Sequence, residues 1–555
     1  MPQFPKNETA QLLIACCSAH SIDHVVISPG SRNAPLIIGF TNHPEIETFS
    51  IVDERSAAFF ALGMARELGK PVALVCTSGS ALLNYYPAVA EAFYTQVPLL
   101  VISADRPAHL IDIGDGQTIR QKNIFQDHIH GATHLSEDVD RQEHLASIHR
   151  AIRMAYKASG PVHINCPFEE PLYETTEQLL SVDLPVETPK PLESVPDSLE
   201  DYAALWNAST KKMVLVGQHG PSEDLQQLLE TLVADPSVLV LVENTANVSH
   251  PRFINSIDKL IFPLEAFQLP AFQPDILLSL GGLVVSKKIK QHLRSYQPRH
   301  HWHVGEDRAF DTFLCLEKHF KLRVTVFFEA FCRLLKPVDS TYQSYWMDKK
   351  QLRLQRHAAF LTDCDFTDLK VFEQLLPSIP EHSQLQLSNS AVIRYSQLFD
   401  IHDSLQVCCN RGTSGIEGST STAIGAAVVR KGPTVLISGD LSFFYDSNAC
   451  WNTYIPADFR IVVVNNGGGG IFRFIPGPQQ TNALDHFETP HMLTAAPLCQ
   501  LHGLEYLSAR NLNELTSALS QFYTPSTAPR LLEVFTPREK NDQVLKAYFS
   551  HLKTT

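Results

Sequence analysis

Two apolar runs with polar ends constrain this chain more than anything else in it. VLISGD closes on Gly439 and Asp440, and RIVVVNN closes on Asn465 and Asn466 and runs at once into GGGGIF. Neither run alternates, so both predict strands covered on both faces, as in a parallel sheet. The intervening LSFFYDSNACWN is long enough for a crossover helix. Asp440 and the asparagines therefore leave the same edge of one sheet, outside the carboxyl ends, where open α/β sheets bind ligands. The carboxylate of Asp440, the amide oxygen of Asn466 and free carbonyls in the glycine turn suit a hard octahedral cation such as Mg2+. A helix start at Leu441 and Ser442 offers N–H groups to phosphate oxygens. GD or NN alone is ordinary turn chemistry; their joint spacing points to an anchor for a diphosphate and its metal.

The same alternation of strand and helix patterns fills the rest of the chain. VVISPG (Val25 to Gly30), VALVCT (Val72 to Thr77), PLLVISADR (Pro98 to Arg106) and VHINCPF (Val162 to Phe168) predict a doubly wound α/β domain over 1–180. The proline-rich stretch from Ser181 to Ser198 reads as an extended linker, 181–198. MVLVGQHG, VLVLVENTAN and DILLSLGG predict a central α/β domain over 199–335. A polar helix from Tyr342 to Arg356 then leads into a third domain, 336–555, carrying QLQLSNS, QVCCNRG, the opening unit and RLLEVFTP. A length of 555 residues accommodates three such domains.

Charge and composition exclude other classes. A net charge of -14 argues against a general nucleic-acid or anionic-membrane binder, so anion sites must be local. No segment approaches a membrane span, and MPQFPKNETAQLLIACC lacks the basic and apolar regions of a secretory leader, so a cytoplasmic protein without stable membrane insertion is expected. The 11 cysteines include the adjacent pairs Cys16–Cys17 and Cys408–Cys409 but no CxxC, which reads as reduced core thiols. HWH at His301 to His303 lacks partners at ligand spacing and reads as structural.

The GD-to-NN unit resembles the diphosphate and metal motif of thiamine-diphosphate enzymes. That resemblance implies three parallel-sheet domains, thiamine diphosphate with Mg2+ (or Mn2+), and an active site between subunits of a homodimer or homotetramer. It further implies Asp440, Asn466 and the Gly468 carbonyl as metal ligands, with Gly439, Leu441 and Ser442 beside the diphosphate. Ile416 in RGTSGIEG matches the apolar residue that props the cofactor in its bent form. Glu54, in IVDERSAAFFALG, stands in a first helical turn, where an acid is ordinarily favoured by the dipole. By the resemblance it is the carboxyl group facing the pyrimidine N1′ of the cofactor. Burial would raise its pKa and let it share a proton.

Cationic and hydroxyl residues recur beside the strand ends: Ser31 and Arg32, Arg106, Gln117, Lys287, Ser390 and Arg394, and Arg411. Singly these are surface groups; together, in an acidic protein, they suggest a pocket for a substrate with several carboxylates. ISPGSRNAPL, SADRP with GQTIRQ, NRGTSGIEG and GDLSFFYD are similar to one branch of the thiamine family, which joins 2-oxoglutarate to isochorismate in menaquinone biosynthesis. There the GD pair is followed by an apolar residue, as Leu441 is here. The branch implies decarboxylation of 2-oxoglutarate, then a Stetter-type addition to the isochorismate ring. Glu54, Arg32, Gln117 and Ser390 would stand at the reacting groups, with Arg106, Lys287, Arg394 and Arg411 on substrate carboxylates and Ile471 and Phe472 on the apolar side. The alternatives are another thiamine-dependent 2-oxoacid decarboxylase or acetolactate-type synthase, and a non-enzymatic metabolite-binding regulator. A nicotinamide dehydrogenase is disfavoured, because no strand is followed by GxGxxG with a suitably placed acid.

Overall fold

The computed structural model describes residues 3–136, 139–182, 198–306 and 308–553. The stretch expected to be a linker, 181–198, lies almost wholly outside the described residues. The rest is built on three sheets, two of six strands and one of five. Every pairing within them is parallel. The runs Val72–Cys76, Leu99–Asp105 and Val238–Val242 are buried at every residue. Their unbroken apolar character is what a strand needs when helices cover both faces.

Counted in chain order within each sheet, both six-stranded sheets have the spatial order 2-1-3-4-6-5, and the five-stranded sheet runs 2-1-3-4-5. The winding direction reverses between the first and third strands, and there the carboxyl ends open a crevice. In the N-terminal sheet it lies between His24–Ile27 and Val72–Cys76, below Ser31 and Arg32. In the C-terminal sheet it lies between Gln384–Leu387 and Thr434–Gly439, directly below Ser390 and Asp440.

Strands that the apolar pattern does not reveal are mainly at sheet edges: Gly131–His134, Lys318–Phe320 and Glu505–Ala509. An edge strand is half-solvated and need not be apolar throughout. HWH falls in the strand His300–Val304, with His301 and His303 both bonded to the Ser279 hydroxyl. Burial pushes both imidazoles down to about 4, so they are neutral core groups. The polar helix runs Tyr342–Thr362. Its Tyr342 hydroxyl donates to Phe272 O in the central unit, and its His357 meets the Tyr548 hydroxyl in the C-terminal one. No helix of the described residues is long and apolar enough to cross a membrane.

The N- and C-terminal units meet where the helix Glu54–Leu68 crosses the helix Ser419–Val429. Asp53 caps the first helix by accepting from Ser56 N, and Gly69, in the left-handed region, ends it. The crossing is backbone on backbone. A Cβ on Gly63 would stand 2.0 Å from Thr422 O, and one on Gly425 would stand 2.0 Å from Phe60 O. Gly63→Ala is therefore expected to destabilise the full chain by about 1–3 kcal/mol through overpacking, read as a lower thermal midpoint. An unchanged midpoint would show that the two helices have room to part.

Candidate active site

The anchor foreseen from the sequence forms as one cluster. Asp440, 3% exposed, begins the short helix Asp440–Tyr445 at the end of its strand. Its Oδ2 accepts from Gly468 N at 2.9 Å, and its Oδ1 from Leu441 N at 2.7 Å. Gly468 has φ +148, and a Cβ there would stand 2.7 Å from Glu488 O, so only glycine lets the turn close on the acid. The Asn466 amide nitrogen donates to Asp368, whereas its oxygen is buried without a partner. A buried acceptor left open beside a carboxylate and a glycine turn is the donor set that a hard cation takes, and these residues fit one. Among the described residues no group of three His, Cys, Asp or Glu is placed to hold a metal ion.

A second group surrounds the anchor on the same sheet edge. Ser390, at φ +69, follows the strand Gln384–Leu387, and its carbonyl accepts from Arg394 Nη1 at 2.8 Å. Asn389 joins the loops: its amide donates to Asn410 O and Gly415 O, and its oxygen accepts from Arg411 Nη1 at 2.6 Å. Arg411 Nε is buried and unpaired. The Ser442 hydroxyl donates to Ile416 O at 2.6 Å, fixing that loop against the Asp440 helix. Ile416 is 36% exposed and so is not a core residue. Lys287, Arg394 and Ile471 line one cavity of about 380 Å³, floored by Phe262, Phe474 and Phe549. Phe472 packs its ring at a tilt against Phe487 nearby, with centroids 5.6 Å apart.

The remaining residues gather on the N-terminal sheet edge instead. Arg32, 5% exposed, donates to Phe168 O and pairs with Glu170, leaving its Nε buried and unpaired. Arg106 binds Asp115 at 3.1 Å and Gly116 O. Burial and the charge of Arg106 lower the pKa of Arg32. Ser31 is exposed, and exposed Gln117, at φ +56, lays its backbone over Gly79. Glu54 opens its helix half-buried. Desolvation raises its pKa, and its own backbone N–H opposes the rise. One chain thus carries two groups of site residues, one about each six-stranded sheet, with Lys287 joining the second group from the helix Lys287–Ser295 of the central unit.

Several residues that hold these groups escaped the sequence reading. Glu91, buried in the N-terminal unit, accepts from Gly412 N, Thr413 N and the Thr413 hydroxyl, so it fixes the loop bearing Arg411 from the other domain. Glu488 clamps Arg473 at 2.5 and 2.8 Å, while its carbonyl accepts from Gly469 N. His491 Nδ1 accepts from Leu493 N and its Nε2 lies 3.3 Å from Asp440 Oδ2. Glu243 accepts from Val285 N and Ser286 N, both at 2.7 Å, in the turn before Lys287, and Asp258 bonds the Ser286 hydroxyl. No local pattern marks them: Glu91, Glu243 and Asp258 act on partners distant in the chain, and the contacts of Glu488 and His491 follow no recognisable motif. A larger hollow of about 670 Å³, lined by Gln218 to Gly220 and Gly281 to Leu283 of the central unit together with Tyr94 to Pro98 and Gln406 to Cys408, contains none of the expected site residues.

Two sheets of one topology, with an acid on the first and a metal-type anchor on the second, frame a thiamine-dependent enzyme. Residues 7–133 match the family described as thiamine pyrophosphate enzyme, N-terminal TPP binding domain. The full chain is 51% identical to the 2-succinyl-5-enolpyruvyl-6-hydroxy-3-cyclohexene-1-carboxylate synthase of Flavobacterium psychrophilum, over 99% of this chain and 100% of that protein. The synthase of the same name from Flavobacterium johnsoniae is 49% identical over 99% and 100%, and that from Porphyromonas gingivalis 38% over 99% and 98%. The chain belongs to the 2-succinyl-5-enolpyruvyl-6-hydroxy-3-cyclohexene-1-carboxylate synthase family.

Glu243 makes the turn before Lys287 sensitive to pH. Burial raises its carboxyl from 4.5 to about 7 despite the two N–H bonds. Between those values the folded chain holds a proton that the unfolded chain has lost, so this group's contribution to stability falls as pH rises through the window. Glu243→Gln removes the titration. The stability of the parent relative to this variant should therefore decline by on the order of 3 kcal/mol from pH 4.5 to 7.5, measured by denaturant midpoints. A pH-independent difference would show that Glu243 does not titrate there.

Proposed function

We propose that this chain decarboxylates 2-oxoglutarate and joins the remaining four-carbon unit to isochorismate, releasing CO2. The product is the 2-succinyl-5-enolpyruvyl-6-hydroxy-3-cyclohexene-1-carboxylate after which its relatives are named. The reaction would serve menaquinone biosynthesis in the cytoplasm. The observation that carries the reading is a set of buried, unpaired polar atoms around the two crevices: the Asn466 amide oxygen, Arg411 Nε and Arg32 Nε. An open acceptor at the anchor fits a cation, and open guanidinium donors fit carboxylates.

Asp440, Asn466 and the Gly468 carbonyl would hold Mg2+ or Mn2+, and Gly439, Leu441 and Ser442 would lie along the diphosphate. Thiamine diphosphate, when bound, supplies the electron sink for cleaving and forming carbon–carbon bonds. Glu54 would hold a proton against the pyrimidine N1′, a task that suits a desolvated carboxyl of raised pKa. Ile416, propped by Ser442, would support the cofactor's bend. Ser390, Arg394 and Arg411, joined by Lys287 from the central unit, would orient substrate carboxylates on one side, and Ser31, Arg32, Arg106 and Gln117 on the other, with Ile471 and Phe472 excluding water. Because the two groups lie about separate sheets of one chain, a homodimer or homotetramer that sets one copy's first edge against the other's second would complete the site. The domains would divide as 1–180, 199–335 and 336–555.

A pyruvate-specific acetolactate-type synthase or simple decarboxylase has less use for so many cations, and a regulator has no use for Glu54 and the anchor together. Incubation with thiamine diphosphate, Mg2+, 2-oxoglutarate and isochorismate is expected to yield the named product with stoichiometric CO2, detected by mass spectrometry. Carboligation with pyruvate alone would defeat the reading. Glu54→Gln is expected to lower turnover by about 100-fold or more while leaving the thermal midpoint near that of the parent. Near-normal turnover would remove Glu54 from the chemistry.

A further inference from the structure

Asp368 begins the helix Asp368–Ser378, 2% exposed, at the inner end of the cavity that Lys287 and Arg394 line. Its Oδ2 accepts from Asn466 Nδ2 at 3.0 Å. Its Oδ1 accepts from the Thr536 hydroxyl at 2.6 Å and from Asn541 Nδ2 at 3.0 Å, and its backbone N–H donates to Asn541 Oδ1 at 2.9 Å. Three bonds from three residues hold this carboxylate in one orientation. An asparagine amide, by contrast, fits its space two ways, with oxygen and nitrogen exchanged. An acceptor-only carboxylate on one side decides between them, because it takes the N–H2 and repels the oxygen. The Asn466 oxygen is accordingly the atom left buried and open.

We propose that Asp368 is the positioning residue that turns the Asn466 amide so that its oxygen, not its nitrogen, faces the cation. The inference rests on the metal reading of Asp440, Asn466 and Gly468. It assigns a role to a residue 98 positions before Asn466 and outside the motif that carries the anchor. Thr536 and Asn541, from the end of the last strand and the final helix, hold Asp368 from behind. The orientation of a metal ligand is thereby tied to the closing elements of the C-terminal unit.

The test uses the full chain with thiamine diphosphate and Mn2+ as the probe, bound Mn2+ being counted by electron paramagnetic resonance without substrates. Asp368→Asn should weaken Mn2+ binding about 10- to 100-fold. The new amide keeps its oxygen on Thr536 and Asn541 and turns its nitrogen to position 466, drawing that side chain's oxygen off the cation. Adding Asn466→Asp should restore binding, because a carboxylate has no nitrogen face to present; a merely structural loss at 368 would not be rescued this way. Thr536→Val, which leaves every group at Asn466 in place, is the second variant and should cost a few-fold. Unchanged Mn2+ affinity in both single variants, with binding lost in Asp440→Ala, overturns the role of Asp368 and spares the metal reading. A parent signal indifferent to Asp440→Ala overturns both.

Discussion

The crossing of Glu54–Leu68 over Ser419–Val429, with Gly63 and Gly425 letting backbone touch backbone, is the contact on which the rest depends. It brings the N-terminal unit close enough for Glu91 to reach the amides of Gly412 and Thr413, and for Arg55 to donate to Tyr445 O at the end of the Asp440 helix. Side chains between these helices would open a gap of several ångströms and strand those carboxylate and guanidinium partners. Burying Glu91 without its three donors would then be costly. Close approach and polar satisfaction therefore support each other across the domain boundary.

The fold was legible in the sequence to the extent that strands are buried on both faces. Val72–Cys76 and Arg460–Asn465 announce themselves as unbroken apolar runs, whereas Gly131–His134 and Glu505–Ala509 do not, because an edge strand is free to carry polar residues. Likewise Asp440, Asn466 and Gly468 could be read from their strand ends, since a motif confined to one crossover keeps its spacing in the chain. Glu91, Glu243, Asp368 and Glu488 could not. Each is a buried acid whose partners lie far off in sequence, except for Glu488, whose clamp on Arg473 is local but has no recognisable pattern. Burial of an acid is a property of three-dimensional enclosure, and a local reading prices every such residue as surface.

Those four acids share a physical logic. Each is removed from water and stabilised by N–H or O–H donors, or by a guanidinium, and each fixes a loop or ligand at a sheet edge that would otherwise have conformational freedom. The loops at the carboxyl edges carry glycines and unusual backbone, as at Ser390 and Gly468. Charge-assisted hydrogen bonds from beneath hold them there.

Both six-stranded sheets follow the order 2-1-3-4-6-5. The chain therefore holds two frames of one strand order, and the candidate site residues lie at the ends of their strands rather than within them. Such repetition allows division of labour, since what each edge carries is not written into its strand order. Changes to one set of loops leave the other frame's strand order intact, so one edge can change its side chains while the other keeps its own.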